Sequence, residues 1–162
     1  MAFFHSKPVH YGLILALAAA VVGVNCERAD GPPFSALAIV DPAAAHVYLY
    51  RRGALAAYGQ GFDVHIDGKP GGRLANASYL LLSLAPGRHL LQVAPGAKAA
   101  RMEAEIVASA GTRAFYEVVF PTGLDMRPDF KDALIARREQ AEAVLALRKL
   151  REKAFFLVQD AK

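Results

Sequence analysis

From Ala36 to Phe120 the chain is broken by turn residues at intervals too short for helices and well suited to strands. Asp41-Pro42, Asp67-Gly68, Pro86-Gly87 and Ala110-Gly111 each combine residues that preset or permit turn backbone. Between them lie Ala36–Val40, His46–Arg51, Phe62–Ile66, Ser78–Leu84, His89–Val93, Met102–Val107 and Thr112–Phe120. Phe62-Asp-Val-His-Ile66 alternates apolar and polar residues, as a strand does when it buries one face. Met102-Glu-Ala-Glu-Ile-Val107 alternates again, and His46–Arg51 is rich in β-branched and aromatic residues. No connection is long enough, or suitably periodic, for the crossover helix that a parallel sheet needs. The expectation is an all-β fold, an antiparallel β-sandwich of about seven strands over residues 36–120. Val64, Ile66, Leu80, Leu82 and Val118, or their alternating neighbours, are its expected core.

The N-terminal part has a different logic. Lys7, with His5 and His10, precedes an uninterrupted apolar run from Tyr11 to Val24, and Asn25, Cys26, Glu27 and Arg28 end it. That order is the order of an export signal, a cationic start followed by about 7–15 apolar residues. The run is short for a spanning helix, which wants about 20. Residues 1–26 therefore read as a signal peptide or a membrane anchor. Cys26, the one cysteine, has no internal disulfide partner and sits at the exit of the run, which makes it a lipidation candidate. Gly23-Val-Asn-Cys26 departs from the lipoprotein pattern at Gly23 and Asn25. Cleavage nearby, with Val24 and Cys26 as the small residues before the cut, stands beside it. Residues 27–35, with Asp30-Gly-Pro-Pro33, read as a short stiff linker. The localisation implied is the bacterial cell envelope, facing the periplasm, with the membrane as a partner through the N-terminus.

After Pro128 a helix is expected over residues 129–158, with Asp129 as its cap. Ala136, Gln140, Ala143, Leu147, Leu150, Ala154 and Leu157 follow alternating steps of four and three, a heptad-type seam. Eight basic residues against five acidic ones between Arg127 and Lys153 give this segment a net charge of +3, out of +4 for the chain. Two uses compete. The seam docks on the sandwich, or Leu147, Leu150 and Leu157 meet a partner helix or an anionic membrane surface.

The residues that carry chemistry elsewhere are scattered here. His46, His65 and His89 lie in or beside different strands, and no His-x-His or Glu-x-x-His spacing joins them. Ser78, Ser83 and Ser109 lack a nucleophile elbow, and Gly68-Lys-Pro-Gly-Gly72 is no phosphate loop. Arg51-Arg52 and the C-terminal cations are too few, and too mixed with acids, for nucleic acid. The expected function is a non-enzymatic envelope module that binds or scaffolds a protein or glycan partner, without a cofactor. The alternative is a small hydrolase or metal-dependent enzyme built on the strand histidines.

Three stretches carry a resemblance: Ala45-His-Val-Tyr-Leu-Tyr-Arg51, Val64–Tyr79 with its Asp-Gly turn and glycine-bearing short strand, and Leu84-Ala-Pro-Gly-Arg-His-Leu90. Together they resemble the bacterial envelope lipoproteins grouped as domain of unknown function 2846, and the broader PEGA-type β domains with their Pro-Gly-x-His hairpin. The resemblance spans roughly Ala36 to Phe120. It implies a compact β-sandwich behind an export signal and no catalytic residue.

Overall fold

The computed structural model describes residues 29–39, 41–96, 100–121 and 129–153. The apolar run Tyr11–Val24, Cys26 and Leu157 lie outside them. The described chain is mostly β. Its strands are β1 (Ala45–Arg51), β2 (Phe62–Ile66), β3 (Lys69–Leu74), β4 (Ser78–Leu84), β5 (Gly87–Ala94), β6 (Met102–Ala108), β7 (Arg113–Val119), β8 (Leu134–Arg138) and β9 (Arg151–Glu152). One helix, α1 (Gln140–Leu147), lies between the last two strands.

The strands form two sheets, one ordered β8-β7-β1-β4-β9 and the other β3-β2-β5-β6. Asp67-Gly68 makes the two-residue hairpin between β2 and β3, with Ile66 opposite Lys69. Both turn residues have positive φ, 52° and 77°. That is the backbone a tight hairpin loop requires and an Asp-Gly pair accepts. Other turns carry the chain between sheets. One of them, Ser109–Thr112, leaves β6 and starts β7 beside the start of β1, where Gly111 N–H donates to Ala44 O and His46 N–H to Thr112 O. β1 and β7 therefore run parallel, with His46 opposite Arg113, and β9 runs parallel to β4. The five-stranded sheet is mixed where an antiparallel one was expected.

Two cores result. Val47 and Leu49 of β1, Val64 and Ile66 of β2, Leu80 and Leu82 of β4, Leu91 and Val93 of β5, Ile106 of β6 and Val118 of β7 fill the space between the sheets. The five residues expected inside are all there. A second core lies on the outer face of the five-stranded sheet. Tyr48, Tyr50, Tyr79 and Phe115 pack there under Phe34, Ala143, Leu147 and Leu150. With both faces covered, all seven residues of β1 are buried.

Over the described residues 129–153, the expected long helix is replaced by a strand, an eight-residue helix and a two-residue strand. Asp129 does receive a bond from the Lys131 amide, at 2.9 Å, but that bond opens a turn. Leu134–Arg138 then pairs antiparallel with Val119–Phe115. The α1 helix spans eight residues, and Arg151–Glu152 returns to strand beside Ser78–Tyr79. The physical reason is the pair of open edges on β7 and β4. Each offers a row of backbone donors and acceptors, and pairing with them outweighs local helical preference. The strand expected at Ala36–Val40 is likewise missing. Residues 36–39 run without strand pairing, and Ile39 is 93% exposed.

Candidate functional site

The two sheets differ in what their outer faces offer. On the five-stranded sheet the aromatic layer is sealed, and its hydroxyls are used in the fold. Tyr48 Oη accepts from the Ala38 amide at 2.7 Å, and Tyr79 Oη donates to Glu152 at 3.3 Å. Tyr50 Oη reaches Glu117 at 3.4 Å. Burial first, and then the Glu117 charge, push the Tyr50 phenol up to about 12. Glu117 itself is buried in β7 and gathers cations. Its carboxylate takes the Nε of Arg52 at 2.8 Å and the Nε of Arg138 at 2.8 Å. Glu142 of α1 joins this network through Arg52 at 3.2 Å. The network ties the end of β1 to β7, β8 and α1. A cleft of about 540 Å³ opens beside it, lined by Arg52, Gly53, Ala77, Glu142, Leu145 and Lys149 among others.

Arg51, next in the chain, points to the opposite side of the sheet. It is 1% exposed, and among the described residues no acid pairs with it. Its guanidinium donates to Gln60 O and Ala57 O, both at 2.7 Å, and lies 4.5 Å from the Phe62 ring centroid. Burial lowers it to about 10. It stays charged at neutral pH and holds the chain between β1 and β2 by its carbonyls.

The outer face of the four-stranded sheet is open among the described residues. Arg88, Leu90 and Gln92 of β5 and Glu103, Glu105 and Val107 of β6 point away from the core, with Val107 66% exposed. Cross-strand pairs organise it, Arg88 with Glu105 and Gln92 with Glu103 at 2.7 Å. A second cleft, of about 360 Å³, lies beside Asp63, His65 and Arg101.

The histidines do not converge. His46 lies on the outer face of the five-stranded sheet, and His65 on the outer face of the other. His89 is turned inward at the end of β5, where Nδ1 meets Asp67 at 2.7 Å and Nε2 meets Ala85 O at 2.8 Å. Among the described residues no three His, Cys, Asp or Glu side chains gather as a metal group. Ser78 donates its hydroxyl to Ala75 O, and Asn76 accepts from the Ala54 amide, so both serve turns. Leu147 and Leu150 are 0% and 3% exposed. They dock against the aromatic layer, which leaves them no free face for a partner helix.

Sequence reasoning missed the Glu117 network and the path of residues 30–34. The signal for the first was a lone acid in the apolar run Phe115-Tyr-Glu-Val-Val119. Residues 30–34 are no free linker. Gly31 N–H donates to Glu152 O at 2.9 Å, Glu152 N–H to Pro32 O at 2.9 Å and Phe34 N–H to Leu150 O at 3.1 Å. Lys153 Nζ then meets Asp30 at 3.1 Å. A side chain on Gly31 would place its Cβ 2.6 Å from Glu152 O, so the close approach requires glycine.

No described helix is long and apolar enough to cross a membrane. The chain matches no family model and no curated protein.

Proposed function

We propose that this chain is a non-enzymatic module of the bacterial cell envelope, exported on Tyr11–Val24 and held at the membrane, whose β-sandwich binds or scaffolds a protein or glycan partner. One observation carries the reading. The apolar run ends at Val24, and the folded domain is already hydrogen-bonded at Gly31. A cationic start and an apolar run of this length have the pattern of an export signal, and a retained segment would leave only a few residues between the membrane and the β-domain. The resemblance to envelope lipoproteins and PEGA-type domains points the same way. The open face of the four-stranded sheet is the surface for the partner, since polar groups on it are mutually paired around exposed Leu90 and Val107. Mixed polar and apolar composition of this kind suits a non-obligate interface.

The test is cell fractionation with N-terminal sequencing of the recovered protein. The expected result is recovery in the envelope fraction. Recovery in the cytoplasm with Met1 still in place would overturn export. Cys26→Ser then separates the modes of attachment. Loss of acyl labelling and of membrane retention would mean a lipid on Cys26, and unchanged retention would mean an uncleaved apolar anchor.

A further inference from the structure

The cover on the outer face of the five-stranded sheet stops short of one cleft, of about 540 Å³, between α1 and the chain at Gly53 and Ala77. That volume lies within the range of small-molecule sites, about 300–1,000 Å³. Helical spacing builds one wall. Ala143 and Leu147 turn one side of α1 into the aromatic core. Glu142, Leu145 and Ala146, with Lys149 just past the helix end, form the stripe beside it that lines the cleft. Leu145 is 63% exposed there. Gly53 and Ala77 build the other wall. Asn76 accepts from the Ala54 amide at 3.1 Å, which ties these two stretches together, and Gly53 and Ala77 are too small to fill the space. Buried Leu150 closes the floor.

The charges at the rim do not cancel. Glu117 and Glu142 are matched by Arg52 and Arg138, two acids by two cations. Lys149 is left over, and among the described residues no acid pairs with it. The helix end does not use its charge for capping. The Val144, Ala146 and Leu147 carbonyls already accept from the amides of Arg148, Lys149 and Leu150. Apolar walls with one uncompensated cation at the rim match a ligand with an apolar tail and a single negative charge. We propose that this cleft binds a medium-chain monocarboxylate. Its carboxylate meets Lys149 beside Arg52, and its chain lies against Leu145, Ala146 and Ala77. The site lies away from the open face of the four-stranded sheet, and it rests neither on export nor on the partner assigned to that face.

The chain contains no tryptophan, so a single introduced one reports alone. Leu145→Trp places it at the cleft, and Leu90→Trp places it on the open sheet. Each variant is made as the full chain by cell-free synthesis into phosphatidylcholine nanodiscs and titrated with octanoate. The expected result is a saturable blue shift of emission for Leu145→Trp and none for Leu90→Trp. Hexanoate, shorter by two methylenes, should bind about fifteenfold more weakly, at about 0.8 kcal/mol per buried methylene. Adding Lys149→Gln should weaken octanoate binding about fivefold, and Lys149→Arg in its place should keep it. No saturable shift, or an equal shift for Leu90→Trp, overturns the site. Octanol binding as tightly as octanoate, with Lys149→Gln silent, overturns the choice of an anion. Binding that appears only after removal of residues 154–162 overturns the proposal and gives the cleft to the chain's own C-terminus. Calorimetry of octanoate with the unsubstituted chain and with Lys149→Gln repeats the comparison, should the indole of Leu145→Trp fill the cleft.

Discussion

Among the described residues, the five-stranded sheet is covered on both faces and the four-stranded sheet on one. The difference is written in their strands. In β1 all seven residues are buried, whereas β2 alternates between buried and partly exposed at every step. β1 also divides its labour. Val47 and Leu49 face the other sheet, while Tyr48 and Tyr50 face the helix and the entering chain. Tyrosine suits that second face because the ring fills a core while the hydroxyl reaches a polar partner at its margin. A sheet face that will be covered by irregular chain and one short helix needs such margins, because the cover brings its own backbone groups with it. A face left open needs only solvated pairs, which is what Arg88–Glu105 and Gln92–Glu103 provide.

The largest expected effects test whether the cover is part of the fold. Leu80→Ala opens the core between the sheets and should cost about 3 kcal/mol. Leu147→Ala opens the core under α1 and should cost a similar amount, about 2–4 kcal/mol. Leu90→Ala, on the open face, should stay within about 0.5 kcal/mol. Urea unfolding of the three variants checks the series. A small loss for Leu147→Ala would mean that the helix peels away and that the sheet stands with one face bare.

A smaller effect is expected where the entering chain seals the covered sheet. Gly31→Ala drives a Cβ against Glu152 O and should break the bonds that join residues 31–34 to β9. The expected loss is about 1 kcal/mol, since hydrogen bonds at a margin are replaced by water. Amide hydrogen exchange reads it directly. Protection should fall at Glu152 and Phe34 and persist at Val47 and Leu82. Unchanged protection at Glu152 would show that the close approach is not needed.

The smallest effect belongs to the open sheet, at the pair that joins its hairpin turn to the chain entering β5. Burial works against a charge on His89, but the Asp67 carboxylate and the Ala85 carbonyl overcome it and raise its pKa. The His89 contact and the Leu90 amide hold the Asp67 carboxyl below its ordinary range. With acceptors at both ring nitrogens, the doubly protonated imidazole is the form that fits. The His89 contribution is complete below the ordinary imidazole value of about 6.5 and is lost as pH rises through its higher folded value. The Asp67 contribution is present above the ordinary carboxylate value and is lost as pH falls through its lower folded value. Stability should therefore decline slightly from mildly acid to mildly alkaline pH, and His89→Gln should flatten that decline. A wild-type unfolding midpoint that does not move across this range would remove the pair from the account.

Where the chain's instructions are local, they can be read without a structure. Asp67-Gly68 marks a two-residue hairpin because few other residues tolerate two successive positive φ angles. The alternation in β2 and β6 names the inward face of each because side chains on a strand point to opposite sides in turn. Those features determine a layered β-fold and the inward sets Phe62, Val64 and Ile66 of β2 and Met102 and Ile106 of β6. Only the tertiary structure decided what Leu134–Arg138 and Arg151–Glu152 would become. Their spacing fits a helix, and they are strands because β7 and β4 hold free edges within reach. It also decided that Asp30 and Lys153 meet, that Glu117 collects Arg52 and Arg138, and that Leu147 is a core residue. A partner distant in sequence leaves no mark in a local pattern. Backbone hydrogen bonds go to whichever segment the folded edges bring alongside.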